Sequence, residues 1–390
     1  MSLKKTLFLS ELYLPVIGGS CTMFANRFGL YPPEKLVVLT NTVENSEAFD
    51  ATVDYSILRV PLPWDGPKYY EWLGVVWRLV KTGFAVIRRQ NIEVIECARP
   101  FPEGVAAYIL AKLCRKPFVS NVHGDEVTVF QNYKIERFLI QRVVRAARLN
   151  LANSRSTEKL IQDLAGKDLR TAVVYPGFNT DFLQHVNSEN VAALRTRFQG
   201  EPILLTVGRL EQERKGHDNV IRALPKVVSQ FPGLKYVIVS SLTDKAKTRM
   251  RVLKELADQL NVSDHIIWCG EVAHDALAEY YAACDLFMMP NRVGPAGDVE
   301  GFGIVFLEAG FLEKPVIGGN SGGVPDAVQH ENTGLLVDGD NADSIADGIL
   351  KILSDNNLAN KMGEHGKSFA LTMTHQKVFE KYKALMSTSG

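Results

Sequence analysis

The sequence predicts an α/β protein built of two doubly wound parallel sheets, and three observations predict it. Short apolar runs alternate with longer stretches of helical periodicity along the whole chain, the pattern of parallel strands joined by crossover helices. The alternation restarts at Pro202, so each half has strands enough for a sheet of its own. At 390 residues the chain is also longer than one ordinary core supports.

In the first half the strands are expected at "TLFLSEL", "KLVVLTN", "YSILRV", "IEVIECA", "PFVSNVH", "LNLANS" and "TAVVYPG". The second half begins with "PILLTVGRL" and continues with "KYVIVS", "HIIWCGEV", "LFMMP", "KPVIGG" and "TGLLVD". Residues 178–200, polar and ending in "FQGEP", read as the linker, which sets a first domain over 1–185 and a second over 186–371. Ligands of such sheets bind beyond the carboxyl ends of the strands. If the two sheets face each other across a cleft, the loops after the strands carry the chemistry.

Composition narrows the class. With 46% hydrophobic and 23% charged residues the chain is globular rather than disordered. Its net charge is zero, but residues 1–185 hold 23 Lys and Arg against 18 Asp and Glu, so the first half is the basic one. Five cysteines, with no C-x-x-C spacing, suggest neither a disulfide framework nor a zinc site. The opening "KKTLFLSELYLPVIGG" starts like a signal peptide, but Glu11 interrupts its apolar stretch, and no run reaches the length of a membrane span. A cytoplasmic protein is expected, one able to sit on a membrane surface.

The unusual residues fall in the loops after strands. Gly18 and Gly19 lie between a strand and a helix, where glycines let backbone amides approach an anion. The fingerprint G-x-G-x-x-G is absent, and a lone Gly-Gly is as often a plain turn. Arg209 and Lys215 follow the first strand of the second half, where a planar fork and a compact charge suit a diphosphate; solvated loop cations are the plainer alternative. "EGFGIVFLE" places Glu300 before a helix opened by Gly301 and Gly303 and returns to Glu308 two turns on. The helix N-terminus favours an anion, and the carboxylates are acceptors for paired hydroxyls, Glu300 for a sugar and Glu308 for a ribose. His123, ending "SNVH", is either a satisfied structural residue or a sugar contact.

Taken together these residues resemble family 4 of the retaining, nucleotide-sugar-dependent glycosyltransferases, which have the GT-B fold. "EGFGIVFLE" matches that family's E-x7-E motif, and "GRL" followed by "KGH" matches its Arg and Lys. "GG" at 18–19, "ANSRSTEKL", "VVYPGFNTDFL", "YYAACDLFMMP" and "SGGVPDAV" extend the likeness over nearly the whole chain. "HGDEV" and "DVEGFGIVFLEA" are most similar to the bacterial phosphatidylinositol mannosyltransferase-like branch.

The resemblance implies two Rossmann-like domains across a cleft, with a C-terminal helix over about residues 372–390 crossing back to the first. It implies hexose transfer from a nucleoside-diphosphate sugar, GDP-mannose before UDP-sugars, to a lipid or glycan acceptor, by front-face attack with retention. Gly18, Gly19, Arg209, Lys215, Gly303 and Ile304 would hold the diphosphate. Glu300, Gly301, Phe302, Gly303 and His123 would meet the donor sugar, Glu308 the ribose, and Gly270, Glu271 and Val272 the base. Glu300, His123, Arg209 and Lys215 would carry catalysis. The family's usual Ser-Trp pair near the C-terminus is replaced here by "MTHQKVFEKYKALM".

No cofactor is expected. The sole D-x-D, Asp338-Gly339-Asp340, reads as a turn entering a helix, so metal independence is expected. Residues 69–90 combine Trp72, Trp77 and Phe84 with Arg78, Lys81, Arg88 and Arg89, and Arg137, Arg142, Arg145 and Arg148 follow, which suits peripheral contact with an anionic membrane. Plain sheet-covering helices are the alternative. Nucleic acid is a poorer partner, because no recognised motif accompanies the charge. A sugar-nucleotide epimerase, a glycosidic phosphorylase and a non-catalytic nucleotide-sugar-binding protein are the competing functions.

Overall fold

The computed structural model describes residues 3–16, 18–62, 71–130 and 133–388. They divide into two compact units, the first over Met1–Gly177 and His375–Gly390, the second over Phe178–Thr374.

The first unit is built on a parallel sheet of seven strands: β1 (Thr6–Leu9), β2 (Leu36–Asn41), β3 (Ser56–Val60), β4 (Val94–Cys97), β5 (Phe118–Val122), β6 (Leu149–Ala152) and β7 (Thr171–Val173). Their order is β3-β2-β1-β4-β5-β6-β7. The chain builds outward from β1 through β2 to β3, then crosses back through the helix Glu71–Gln90 to lay β4 on the other side of β1. The switch point therefore lies between β1 and β4. Side chains alternate across the sheet as a pleated strand requires: Leu7 and Leu9 pack with Trp72, Leu79, Leu110 and Val143 on one face. Phe8 packs with Phe24, Phe28, Tyr31 and Tyr382 on the other.

Tyr382 belongs to the last helix, His375–Thr388, which covers that second face beside the helix Gly19–Phe28. Phe379 and Tyr382 stack with ring centroids 6.0 Å apart, and both pack on Tyr31. They supply the anchoring aromatics that the missing Ser-Trp pair had left undecided.

The second unit holds six parallel strands: β8 (Ile203–Val207), β9 (Lys235–Val239), β10 (Ile266–Gly270), β11 (Leu286–Met289), β12 (Val316–Gly319) and β13 (Gly334–Val337), ordered β10-β9-β8-β11-β12-β13. Here the switch point lies between β8 and β11. Leu204, Leu286, Met288 and Ile317 from the strands meet Val220, Leu224, Ile345 and Ile349 from the helices in its core.

The segment read as a linker is not one. Ser188–Phe198 is a helix whose N-cap, Asn187, accepts hydrogen bonds from the amides of Glu189 and Asn190. Phe198 is buried, and Arg195 ties the helix to the second unit through the Ala283 carbonyl at 2.7 Å and Asp285 at 3.1 Å. Its few apolar residues had left no strong periodicity in the sequence. The Phe182 ring lies tilted against that of His274 with centroids 4.2 Å apart, and residues 178–185 belong to the second unit as well.

Candidate functional site

In the second unit the loops after β8 and β11 meet at the switch point. After β8 the chain runs through Gly208, Arg209 and a short 3-10 turn, Glu213–Lys215, into the helix His217–Val228. Gly216, between turn and helix, has φ +76, and a Cβ there would strike the carbonyl oxygen of Pro290 just beyond β11. Only glycine meets both demands, which is why "KGH" reads as it does.

This contact brings Lys215 to Glu300. Lys215 Nζ lies 2.5 Å from Glu300 Oε2, with the two side chains 12% and 13% exposed. Asn291 Nδ2 approaches the same oxygen at 3.4 Å. Burial pushes the Glu300 carboxyl up, but Lys215 and then Arg214 more than reverse it, so it lies below the ordinary carboxylate range. Gly322 and Gly323 of "SGGVP" hold Glu300 from behind. The Gly323 amide donates to the Glu300 carbonyl at 2.8 Å, and Gly322, with φ +57, sits where any Cβ would strike that carbonyl.

Gly303 (φ +94) is the N-cap of the helix Ile304–Phe311 and supplies no side chain to its first amides. Glu308 lies on that helix. Burial raises its carboxyl to about 7, although Tyr281 Oη donates a 2.6 Å hydrogen bond that favours the ionised form. Gly301 lies between Glu300 and Phe302. The Phe302 side chain is 2% exposed and belongs to the interior, so only its backbone is available to a ligand. Arg209 is exposed after β8; Gly270 ends β10, two strands away, and Glu271 and Val272 follow it. Arg209, Lys215, Gly270–Val272 and Glu300–Ile304 thus lie on segments that leave the carboxyl ends of strands of one sheet, with Glu308 further along the helix.

In the first unit the corresponding edge carries Gly18, Gly19 and His123. Gly18 is extended and Gly19 opens the helix Gly19–Phe28, where a Cβ on Gly19 would meet no atom of the described residues within 4 Å. Neither its conformation nor packing among the described residues of this unit explains a glycine at 19. His123 is held at three points: its amide donates to Glu126 at 2.6 Å, its carbonyl accepts from Asn153 at 3.1 Å, and its Nε2 lies 3.1 Å from the Ala98 carbonyl. A carbonyl only accepts, so Nε2 carries the proton. Burial, with Arg27 and Arg99 nearby, lowers the ring to about 4, so it is neutral at pH 7.

Sequence reading missed the groups that hold these residues. Arg99 joins Glu103 at 2.8 Å and Glu11 at 3.0 Å around a recess that Ser10, Ser20, Phe24 and His123 share. In the second unit Arg214 pairs with Asp298 at 2.8 Å, and Arg292 donates to both oxygens of Asp218 at 2.9 Å. Arg214 beside Lys215, and Asp298 two places before Glu300, were the available signals. Among the described residues no group of three or more His, Cys, Asp and Glu is placed to hold a metal ion.

Comparison with known proteins adds what geometry alone does not. The family described as Glycosyltransferase Family 4 matches residues 27–182, and that described as Glycosyl transferases group 1 matches residues 188–369. A GDP-mannose-dependent alpha-(1-6)-phosphatidylinositol monomannoside mannosyltransferase of Mycobacterium tuberculosis is 35% identical over 254 residues, a match that spans 64% of this chain and 64% of that protein. The GDP-mannose-dependent monoacylated counterpart in Corynebacterium glutamicum is 26% identical over 94% of this chain and 93% of its own length. Among solved structures, Anabaena HepE, crystallised with UDP and glucose, superposes with a TM-score of 0.81 at 20% identity, covering 99% of this chain and all of that one. The last likeness is one of fold.

Proposed function

The chain belongs to glycosyltransferase family 4, with the GT-B fold, and from that premise we propose that it is a retaining hexosyltransferase. Its donor is a nucleoside-diphosphate sugar, GDP-mannose before UDP-sugars, as the names of the mycobacterial and corynebacterial relatives suggest. The observation that carries the reading is the Lys215–Glu300 pair at the switch point, beside a helix N-terminus with no side-chain cap.

Each group has a task in that reaction. Arg209, Lys215 and the amides at Gly303 and Ile304 take the diphosphate, while Glu300 takes hydroxyls of the sugar. Glu308 accepts the ribose diol, and Gly270–Val272 line the base. From the first unit, Gly19, with Gly18, and the neutral His123 are assigned to the diphosphate and the transferred sugar on the family resemblance. The acceptor oxygen bonds to the anomeric carbon as the carbon–oxygen bond to the diphosphate breaks, and the leaving phosphate takes the acceptor's proton. No protein nucleophile enters. Catalysis rests on orientation and on meeting the charge that grows on the diphosphate.

Metal independence remains part of the proposal; activity abolished by EDTA and restored by Mn²⁺ overturns it. The acceptor is a lipid or glycan, reached at an anionic membrane surface through the basic, aromatic outer face of the first unit. Among the described residues no helix is long and apolar enough to cross a membrane.

The test is binding of GDP, UDP, ADP and their sugars by thermal shift, followed by donor hydrolysis and the anomeric configuration of the product by NMR. Ligand at 100 times its dissociation constant stabilises by about 2.7 kcal/mol. Selective stabilisation by GDP supports the GDP-mannose reading, selective stabilisation by UDP moves the donor to a UDP-sugar, and no response to any nucleotide removes the proposal.

A further inference from the structure

We propose that Arg214 and Asp298 form a positioning pair that sets the separation of Lys215 and Glu300; the inference rests on the transferase reading above. Neither residue belongs to the motifs that identify the site. Each lies beside one that does: Arg214 precedes Lys215, and Asp298 stands two residues before Glu300. At the site the segments after β8 and β11 are therefore joined by Arg214–Asp298 at 2.8 Å and Lys215–Glu300 at 2.5 Å, with Arg292–Asp218 at 2.9 Å behind them.

The place of the Asp298 carboxylate is built into the loop. The Gly294 amide donates to the Asp298 carbonyl at 2.8 Å and the Gly297 amide to the Gly294 carbonyl at 2.9 Å, closing a tight turn. A Cβ on Gly294 would strike the Asp298 carboxylate, so glycine at 294 leaves the space that the carboxylate fills. Arg214 is fixed on its side too: its carbonyl accepts from the Arg292 amide at 2.9 Å, and Arg292 itself is forked onto Asp218.

The two pairs have different futures in the reaction. A diphosphate competes with Glu300 for Lys215, and Lys215, on a flexible stem with a single charge, can turn from one to the other. Glu300 is then released to the sugar hydroxyls, and nothing in the first pair holds the loops at their spacing any longer. Arg214–Asp298, with side chains 12% and 19% exposed, stays paired and keeps the loops in register through the exchange. Arg214 also acts on Glu300 through its charge, which helps hold the Glu300 carboxyl below the ordinary carboxylate range.

A plain fold-holding role and a positioning role separate in kinetics. Wild type, Arg214→Gln, Asp298→Asn and the milder Arg214→Lys are compared in melting temperature, in GDP and UDP binding, and in kcat and KM for hydrolysis of the donor that wild type uses, which needs no acceptor. The expected result is a fall in kcat of about tenfold to a hundredfold for Arg214→Gln and Asp298→Asn, the scale of a small misplacement of reacting groups. Nucleotide affinity should change less than about threefold, and Arg214→Lys should regain much of the rate. In Arg214→Gln the acid limb of the pH–rate profile should also move upward. Lower melting temperatures with kcat unchanged, or affinity and kcat lost in proportion, overturn the proposal. If wild type binds neither nucleotide, the transferase reading falls and takes this with it; if wild type binds and the variants match it, the positioning role alone falls.

Discussion

Tyr382, on the last helix, donates a 2.6 Å hydrogen bond to Glu96 in the middle of β4, 286 positions earlier in the chain. Glu96 also accepts from Asn121 at 2.8 Å and lies 3.4 Å from Arg27, whose guanidinium sits 4.6 Å over the Tyr382 ring. All four residues are at most 5% exposed. Ile95 and Cys97 face the opposite core, so the pleat turns Glu96 towards the face that the last helix covers.

Replacing Tyr382 with Phe keeps the ring and removes only the donor. A hydrogen bond to a charged, buried acceptor of this kind contributes about 1.5–3 kcal/mol. Urea unfolding should show a lower midpoint with an unchanged slope. A midpoint equal to wild type means that Arg27 and Asn121 already satisfy Glu96 and that the helix is held by its apolar contacts.

Lys215 and Glu300 should behave as a pair in stability and as individuals in turnover. Lys215→Met leaves a buried carboxylate without its nearest cation, a change that costs about 3–5 kcal/mol when one member of a buried pair is removed. Glu300→Gln should destabilise less than that. Lys215→Met with Glu300→Gln should recover much of the lost melting temperature, because neither charge is then stranded. Donor hydrolysis should not recover; each single variant and the double should stay about 10²–10³-fold down. Recovery of rate in the double variant would mean that the pair is structural only.

Glu308, raised to about 7 against an ordinary 4.5, makes a pH prediction whose sign is fixed. Between those values the folded protein holds a proton that the unfolded chain has lost, so this group's contribution to stability is full below about 4.5 and is lost as pH rises through 7. His123 and His217, both lowered to about 4 by burial, act oppositely, and their contribution fades as pH falls from 6.5 to 4. The Glu308→Gln variant isolates the first effect: its stability relative to wild type should increase from pH 4.5 to 7. Nucleotide affinity of wild type should rise across pH 7, as the carboxylate becomes the better acceptor for a ribose diol, and this component should vanish in Glu308→Gln. An identical pH dependence in the two proteins removes Glu308 from the ribose.

All thirteen strands among the described residues were legible because each is a short, mostly apolar run bounded by Gly, Pro or a polar turn, and such runs survive without knowledge of their neighbours. The helix Ser188–Phe198 was not, since its anchors are Phe198 and the Arg195–Asp285 contact, one residue and one long-range pair. The same limit applies at the site. Lys215, Glu300 and Glu308 stand out by type and spacing, whereas Arg214–Asp298 and Arg27–Glu96 are separated by 84 and 69 residues and become pairs only through the sheet order. Glycines were the most informative letters: Gly216 and Gly322 mark where one loop's backbone touches another's.

The outer face of the first unit yields the last prediction. The aromatic residues of 69–90 do not act as one group. Trp72 is 7% exposed and packs in the core, as Phe84 does in part, while Trp77 is 60% exposed and Leu73 49%; Tyr69 and Tyr70 lie outside the described residues. The helix Glu103–Cys114, packed beside Glu71–Gln90, and the helix Lys134–Ala146, packed in turn beside Glu103–Cys114, add Leu113, Ile135 and Phe138 at 60%, 50% and 58% exposure. Lys81, Arg88, Lys112, Arg137, Arg142 and Arg145 are exposed on the same helices, whereas Arg148 lies beyond the last of them and is partly buried. Apolar residues rimmed by cations suit a surface of anionic lipid, where each basic residue contributes about 1 kcal/mol. Co-sedimentation with phosphatidylglycerol vesicles should therefore be strong at low salt and weak in neutral phosphatidylcholine. Arg137→Gln and Arg142→Gln should each weaken it about fivefold, and Trp77→Ser with Phe138→Ser should weaken it further at high salt, where the charges are screened. Trp72→Ser should instead lower the melting temperature, because its ring belongs to the core. If the vesicles fail to retain wild type at low salt, the acceptor is not met on an anionic membrane and a soluble glycan takes its place.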